Sequence, residues 1–205
     1  IQGDTKMNKI ILASTAPRGR EVLEKLGVPF EVMPSGAREY IELEQSPYEC
    51  VTILSRRKAK NVAEKVSGPA IIIGADTVVT YLGKILNKPK NRDEAAQMLK
   101  GLSGKLHTVY TGITLIFIDE NGNRQTESYV DATEVVFKEM SDKEINRYLD
   151  TKEYADKAGS YSIQGRASIF IDHIKGSFNT VVGLPVSVLY DALKEHGVDI
   201  TDFWE

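Results

Sequence analysis

The run Ala70-Ile71-Ile72-Ile73 limits what this chain can become more than any other segment. Consecutive apolar residues with no polar face read as a central strand covered on both sides, as in the inner strands of α/β sheets. A charge follows at once, in Gly74-Ala75-Asp76-Thr77-Val78-Val79. An ionised carboxylate buried in such a strand is costly unless it is paired or bound to a metal. Asp76 therefore either emerges at a strand end, into a crevice of the kind where α/β sheets bind ligands, or caps a neighbouring turn or helix. Both readings are open on this segment alone.

Strand and helix signals alternate around it. Lys9 to Ala13 reads as a first strand. Ser14-Thr15-Ala16-Pro17 then offers cap residues and a proline for the first turn of a helix that runs through Val22, Leu23 and Leu26 to Gly27. Phe30, Val32 and Pro34 suggest a short strand. Ser46-Pro47-Tyr48-Glu49 is a capping box that opens a helix to about Val66, stopped by Ser67-Gly68-Pro69. Residues 77–82 and 85–86 flank Gly83-Lys84 as a hairpin, and a helix runs from about Asn91 to Leu102. A long β stretch from His107 to Ile118 turns at Asn121-Gly122 and returns from Glu127 to Phe137. Ser141 to Glu144 is a second capping box, Ile169 to Ile174 reads as a strand, and the last helix runs from Pro185 to His196, closed by Gly197. Helices on a mixed sheet make this α/β. The six residues before Met7 are read as a cloning remnant, and residues 7–205 as one domain.

Composition narrows the function. The 205 residues are 41% hydrophobic and 27% charged, with 26 basic against 29 acidic residues for a net charge of −3. That balance argues against a duplex nucleic-acid binder, although it permits a local basic cleft. No apolar run is long enough to span a bilayer. Cys50 is the only cysteine, so no intrachain disulfide forms and a reducing compartment is expected. His107, His173 and His196 lack metal-ligand spacing, and the common phosphate-loop and dinucleotide motifs are absent.

The cations are more telling. Val51, Leu54, Val62 and Val66 form one stripe of the second helix, and Lys58 falls in its middle while Arg56, Arg57 and Lys60 lie off it. Lys58 either snorkels past the core to solvent or places its ammonium at the core edge, facing an anionic ligand. Ser14 to Arg20, a loop entering a helix, offers backbone N–H groups, hydroxyls and Arg18 to an anion; the same residues also suit a plain helix cap with a surface arginine. Lys88-Pro89 puts a cation on a stiffened turn. Gln164, in a polar glycine-flanked loop, carries an amide that can read a base edge or simply face solvent. Glu39 is a hard oxygen ligand or a solvated acid.

Taken together, these segments resemble the Maf family of nucleoside triphosphate pyrophosphatases from Lys9 to about Leu193. The matching pieces are Leu12 to Arg18, Arg57-Lys58-Ala59, Ile73 to Thr77, Asn87-Lys88-Pro89, Leu102-Ser103-Gly104, Asp156 to Gly159 through Gln164-Gly165, and Val182 to Pro185. The resemblance implies a cytoplasmic enzyme that cuts a nucleoside triphosphate between its α and β phosphates. It also implies an elongated α/β fold with a groove between two lobes, similar to the inosine triphosphatase architecture. The residue matching Asp76 is the family's proton acceptor. Glu39, Lys58 and Lys88 match catalytic or phosphate-contacting positions, and Arg18, Thr77 and Gln164 match positions tied to substrate selection. Gln164-Gly165 looks like the dTTP/UTP branch, where the 7-methyl-GTP branch carries Glu-Gly.

One departure stands out. The family's Ser-x-Ser-Pro-Arg-Arg is here Ser14-Thr15-Ala16-Pro17-Arg18-Gly19, and Arg20 lies about 200° around the helix from Arg18. A weaker grip on the triphosphate is expected. The chemistry implied is water attack assisted by Mg²⁺ or Mn²⁺ held partly by Glu39 and Asp76. Asp76 is the general base, with its pKa kept low by the metal. Lys58, Lys88, Arg18 and the amides after Ser14 hold phosphate, while Gln164 and Thr77 read the base. A homodimer is plausible from the family. The alternatives are a non-catalytic nucleotide-binding regulator of cell division, or the same chemistry with a preference for 7-methyl-GTP or another purine nucleotide.

Overall fold

The computed structural model describes residues 9–41 and 44–204; the segment before Met7 lies outside them. The elements run β1 (Lys9–Leu12), α1 (Pro17–Lys25), β2 (Glu31–Val32), α2 (Pro47–Ala63), β3 (Ala70–Tyr81), β4 (Lys84–Leu86), α3 (Arg92–Leu102), β5 (Leu106–Ile118), β6 (Arg124–Phe137), α4 (Asp142–Asp150), β7 (Ile171–Lys175), α5 (Phe178–Val182) and α6 (Val186–Glu195). Seven strands form one mixed sheet in the order β2-β1-β3-β5-β6-β7, with β4 also paired to β3. The expected mixed α/β architecture is what forms, and both capping boxes are made, at Ser46/Glu49 and Ser141/Glu144.

Local chemistry explains where the boundaries differ from expectation. Helix α2 stops at Ala63 rather than Val66 because Lys65 and Val66 donate to Val62 and Ala63 in a tightened last turn before Gly68-Pro69. The strand expected from Ile169 starts at Ile171, since Arg166–Phe170 form a 3-10 turn that leaves Ile169 exposed. The cap of α1 falls on Ala16, which has no side chain to offer; the Ser14 hydroxyl instead accepts from the Ala16 N–H at 3.0 Å.

Strand β3 organises the core. Its alternate side chains enter opposite faces. Ile71 and Ile73 meet Val22, Leu23, Leu189 and Leu193 of α1 and α6, while Ala70 and Ile72 meet Ala59, Val62 and Ala63 of α2. Further along, Val79 joins a second core on the α1/α6 face, built from Ala95, Leu99 and Leu102 of α3 and Ile145, Tyr148 and Leu149 of α4. The stretch between Ile73 and Val79 thus lies between two apolar cores.

His107 sits in the second core, almost fully buried. Its Nε2 lies 2.7 Å from the Tyr161 hydroxyl, its Nδ1 has no hydrogen-bond partner, and its ring meets Phe137 edge-on. Burial lowers its pKa to about 4, against 6.5 for the free side chain. The unfolded chain therefore binds the extra proton first, so His107's contribution to stability is full above pH 6.5 and is lost as pH falls toward 4. Urea midpoints measured across this window should show a loss on the order of 3 kcal/mol that His107→Gln flattens. Identical slopes for the two proteins would contradict this.

Candidate active site

Two strands share one edge of β3 and leave its middle bare. On that edge β1 ends its pairing at Leu12–Ile73, and β4 begins at Val79–Leu86. Among the described residues no strand covers 74–78 there. The Ile73 carbonyl, which accepts from the Ala13 N–H, faces this edge. By strand alternation the N–H and C=O groups of Ala75 and Thr77 face it too. A cleft of about 990 Å³ opens at this gap, within the range of small-molecule sites. Its wall includes Ser14, Arg18, Gly19, Glu39, Lys58, residues 75–79, Lys88, Tyr161 and residues 181–184.

Asp76 and Thr77 enter the cleft from opposite faces of β3. On the α2 face, Gly74 and Gly112 remove the side chains that would hold the helix away. A Cβ at Gly74 would overlap the Ser55 carbonyl, and one at Gly112 would overlap the Val51 carbonyl. The buried Ser55 hydroxyl bonds Thr114 Oγ1 at 2.8 Å, fastening α2 to β5. At this approach Lys58 Nζ donates to Asp76 Oδ1 at 2.7 Å and lies 3.6 Å from Glu39 Oε1. The Lys58 and Asp76 side chains keep only 17% and 14% exposure, so water screens them weakly. Lys58 thus stops at the core edge, on the cleft wall, with its ammonium against the Asp76 carboxylate. Arg57, on the flank of the apolar stripe, donates to the Tyr40 carbonyl at 2.6 Å, and Asn61 accepts from the Gly36 N–H at 2.8 Å. Together they lay the segment bearing Glu39 along α2.

Electrostatics follow from this geometry. Burial is the main force on the Asp76 carboxyl and raises its pKa; Lys58 pulls it back, Glu39 pushes it up and Lys88 lowers it, leaving it above the usual value. The net shift, set mainly by burial, thus runs opposite to the low pKa expected from a bound cation. Burial lowers the Arg18 pKa. Burial, then Asp76, raises that of the Cys50 thiol, which favours its protonated form.

The structure brings Asp76, Glu39, Lys58, Lys88, Ser14, Arg18 and Thr77 to one cleft. Gln164 lies one residue past the wall, after Tyr161, Ser162 and Ile163, and is exposed. Its turn is braced by Glu153, which accepts from the Arg166 N–H at 3.0 Å and leaves no room for a side chain at Gly165. Gly159, at φ +70°, packs against Val79 and donates to the Asn87 carbonyl, tying this loop to the turn that bears Lys88. Among the described residues no cluster of three His, Cys, Asp or Glu could hold a metal.

A family model described as "Maf-like protein" matches residues 9–196. The chain belongs to this family. It is 49% identical over 195 residues to the dTTP/UTP pyrophosphatase of Bacillus anthracis (strain CDC 684 / NRRL 3495), covering 95% of this chain and 99% of the relative. The dTTP/UTP pyrophosphatase of Bacillus cereus (strain ATCC 10987 / NRS 248) matches at the same identity, covering 93% of that protein. Among solved structures, the Staphylococcus aureus Ham1 protein aligns with a TM-score of 0.46 at 11% identity, covering 92% of this chain and all of the other.

In this Maf-like chain Arg20 turns away from the cleft, as its helical angle from Arg18 requires, and pairs with Glu24 at 2.8 Å. Gly19 lines the cleft, and a Cβ there would meet only Leu12 at 3.8 Å. The first turn of α1 carries Arg18 and no side-chain cap, so its N–H groups are available to an anion. Sequence reasoning missed Tyr40, Asp156, Tyr161 and the α5 segment as wall residues. The usable signs were the stretches Asp156 to Gly159 through Gln164-Gly165 and Val182-Gly183-Leu184-Pro185; the five-residue α5 is too short to show a period.

If the glycines set the reach of Lys58, Gly74→Ala should cost about 1–3 kcal/mol in denaturant unfolding, and a crystal structure of the variant should show the Lys58–Asp76 contact lengthened. Wild-type stability with the contact intact would contradict this.

Proposed function

We propose that this protein hydrolyses dTTP and UTP to the nucleoside monophosphate and pyrophosphate, with water attacking the α phosphorus. The observation that carries the reading is a carboxylate and three cations converging on one cleft at a bare strand edge: Asp76 beside Lys58, with Lys88 and Arg18 on the same wall. Phosphoryl chemistry calls for this arrangement, since it needs charge neutralisation and an aligned nucleophile more than covalent help. The 49% identity to dTTP/UTP pyrophosphatases supports the same reaction and the pyrimidine preference.

In this reading Asp76 accepts the proton of the attacking water. Lys58 holds the carboxylate in place through its 2.7 Å hydrogen bond and offsets phosphate charge. Lys88, Arg18 and the first-turn amides of α1 bind the phosphates. Thr77 and the loop bearing Gln164 select the nucleotide, with Gln164 reaching in from the rim. Glu39 and Asp76 suit Mg²⁺ or Mn²⁺: both are hard oxygen donors, and both lie beside Lys58 on the wall of one cleft. Magnesium keeps several waters, so two protein ligands suffice. Bound there, the ion would neutralise phosphate charge and acidify water.

The test is pyrophosphate release over a panel of nucleoside triphosphates with Mg²⁺ and with Mn²⁺. Turnover should be highest with dTTP and UTP, and Asp76→Asn should lower kcat by about 10³-fold while melting unchanged or higher. Near-normal turnover by the asparagine variant would refute the assignment of the base. Binding without product from any nucleotide would favour a regulator.

A further inference from the structure

Thr77, Thr111 and Asp131 occupy one row across β3, β5 and β6, paired in register as Thr77–Thr111 and Thr111–Asp131. Helix α5 lies over the row. Thr111 is fully buried, and its Oγ1 makes two contacts: 2.7 Å to the Thr180 carbonyl and 2.8 Å to Thr77 Oγ1. Thr180, also fully buried, donates its own hydroxyl to Asp131 Oδ2, while Thr133 Oγ1 donates to the Ser177 carbonyl at 3.0 Å. These bonds hold the Thr180 carbonyl over the sheet.

A hydroxyl has one proton, and a carbonyl can only accept. The Thr111 proton is therefore committed to Thr180, because the alternative sets two lone pairs against each other at 2.7 Å. It follows that Thr77 must donate to Thr111. The Thr77 oxygen then has only lone pairs left, and they remain accessible to the cleft. Thr77 is half-buried on the cleft wall, and facing it is Gly183 at φ +122°, where a Cβ would come within 3.3 Å of Thr77 Oγ1.

We propose that Thr111 is a positioning residue for substrate selection: it fixes Thr77 as an acceptor-only group, so the nucleotide must present an N–H or O–H donor at that point. The inference rests on the nucleotide pyrophosphatase reading above. A uracil or thymine N3–H and a sugar 3′-hydroxyl both supply such a donor. CTP replaces the first with a lone pair, and 3′-fluoro-3′-deoxythymidine triphosphate replaces the second.

The experiment measures kcat and KM of the full chain and of Thr111→Val, Thr111→Ala and Thr111→Ser with UTP, dTTP, CTP and the fluoro analogue. In the wild type the analogue that sets a lone pair against Thr77 should lose tenfold or more in kcat/KM, about the value of one mismatched hydrogen bond. In Thr111→Val, Thr77 is released to turn its proton into the cleft, so the loss on that analogue alone should shrink to about threefold. Thr111→Ser should restore it. The arm that relaxes identifies the source, base or sugar. If the valine variant does not fold, the alanine variant and the wild-type penalties carry the test. Equal analogue penalties in all variants would overturn the inference, as would no wild-type penalty in either arm or a uniform loss on every nucleotide. An inactive wild type would bring down the broader reading, whereas an active wild type with unchanged ratios would bring down this inference alone.

Discussion

The Lys58–Asp76 ion pair is the interaction on which the cleft depends. A carboxylate in the middle of a β-branched strand is tolerated only with a counter-charge close by. That charge arrives on α2, and α2 gets near enough only because Gly74 and Gly112 have no side chains to stop it. The fold thus spends two small residues of its central strands to bring a cation within 2.7 Å of Asp76. Removing Lys58 would leave the Asp76 carboxylate buried without its close counter-charge, whereas neutralising Asp76 leaves Lys58 beside Glu39 at 3.6 Å, so it is the carboxylate that depends on the pair.

The position of the cleft has an equally physical origin. Strand β3 is longer than either strand on its β1/β4 edge, and the gap between them leaves backbone groups of Ala75 and Thr77 facing an opening. Here the α1/α6 core gives way to the α3/α4 core, so neither fills the space. Because side chains alternate across β3, the same few residues deliver Asp76 to the α2 side and Thr77 to the α5 side. A ligand at the gap meets a charged wall on one side and a hydroxyl of set polarity on the other.

Much of this was legible in the residues. The apolar run before Asp76 marked the central strand, and the helical period placed Lys58 on the inward stripe. What escaped notice depended on long-range pairing. Nothing local in residues 74–78 says that β1 and β4 stop short of each other, and the bond between Ser55 and Thr114 joins residues 59 apart. The cap of α1 was misread because hydroxyls at Ser14 and Thr15 looked like caps, whereas the helix begins after Ala16. Gln164 was placed in the binding loop on its chemistry, yet its backbone turns out just beyond the wall, held by Glu153.

The central claim is that Asp76 directs water to the α phosphorus of a nucleoside triphosphate. Hydrolysis in ¹⁸O-labelled water tests it most directly, read by mass spectrometry of both products. The account predicts the label in the nucleoside monophosphate, with unlabelled pyrophosphate. Label in the pyrophosphate, or release of orthophosphate, would place the attack elsewhere and contradict it.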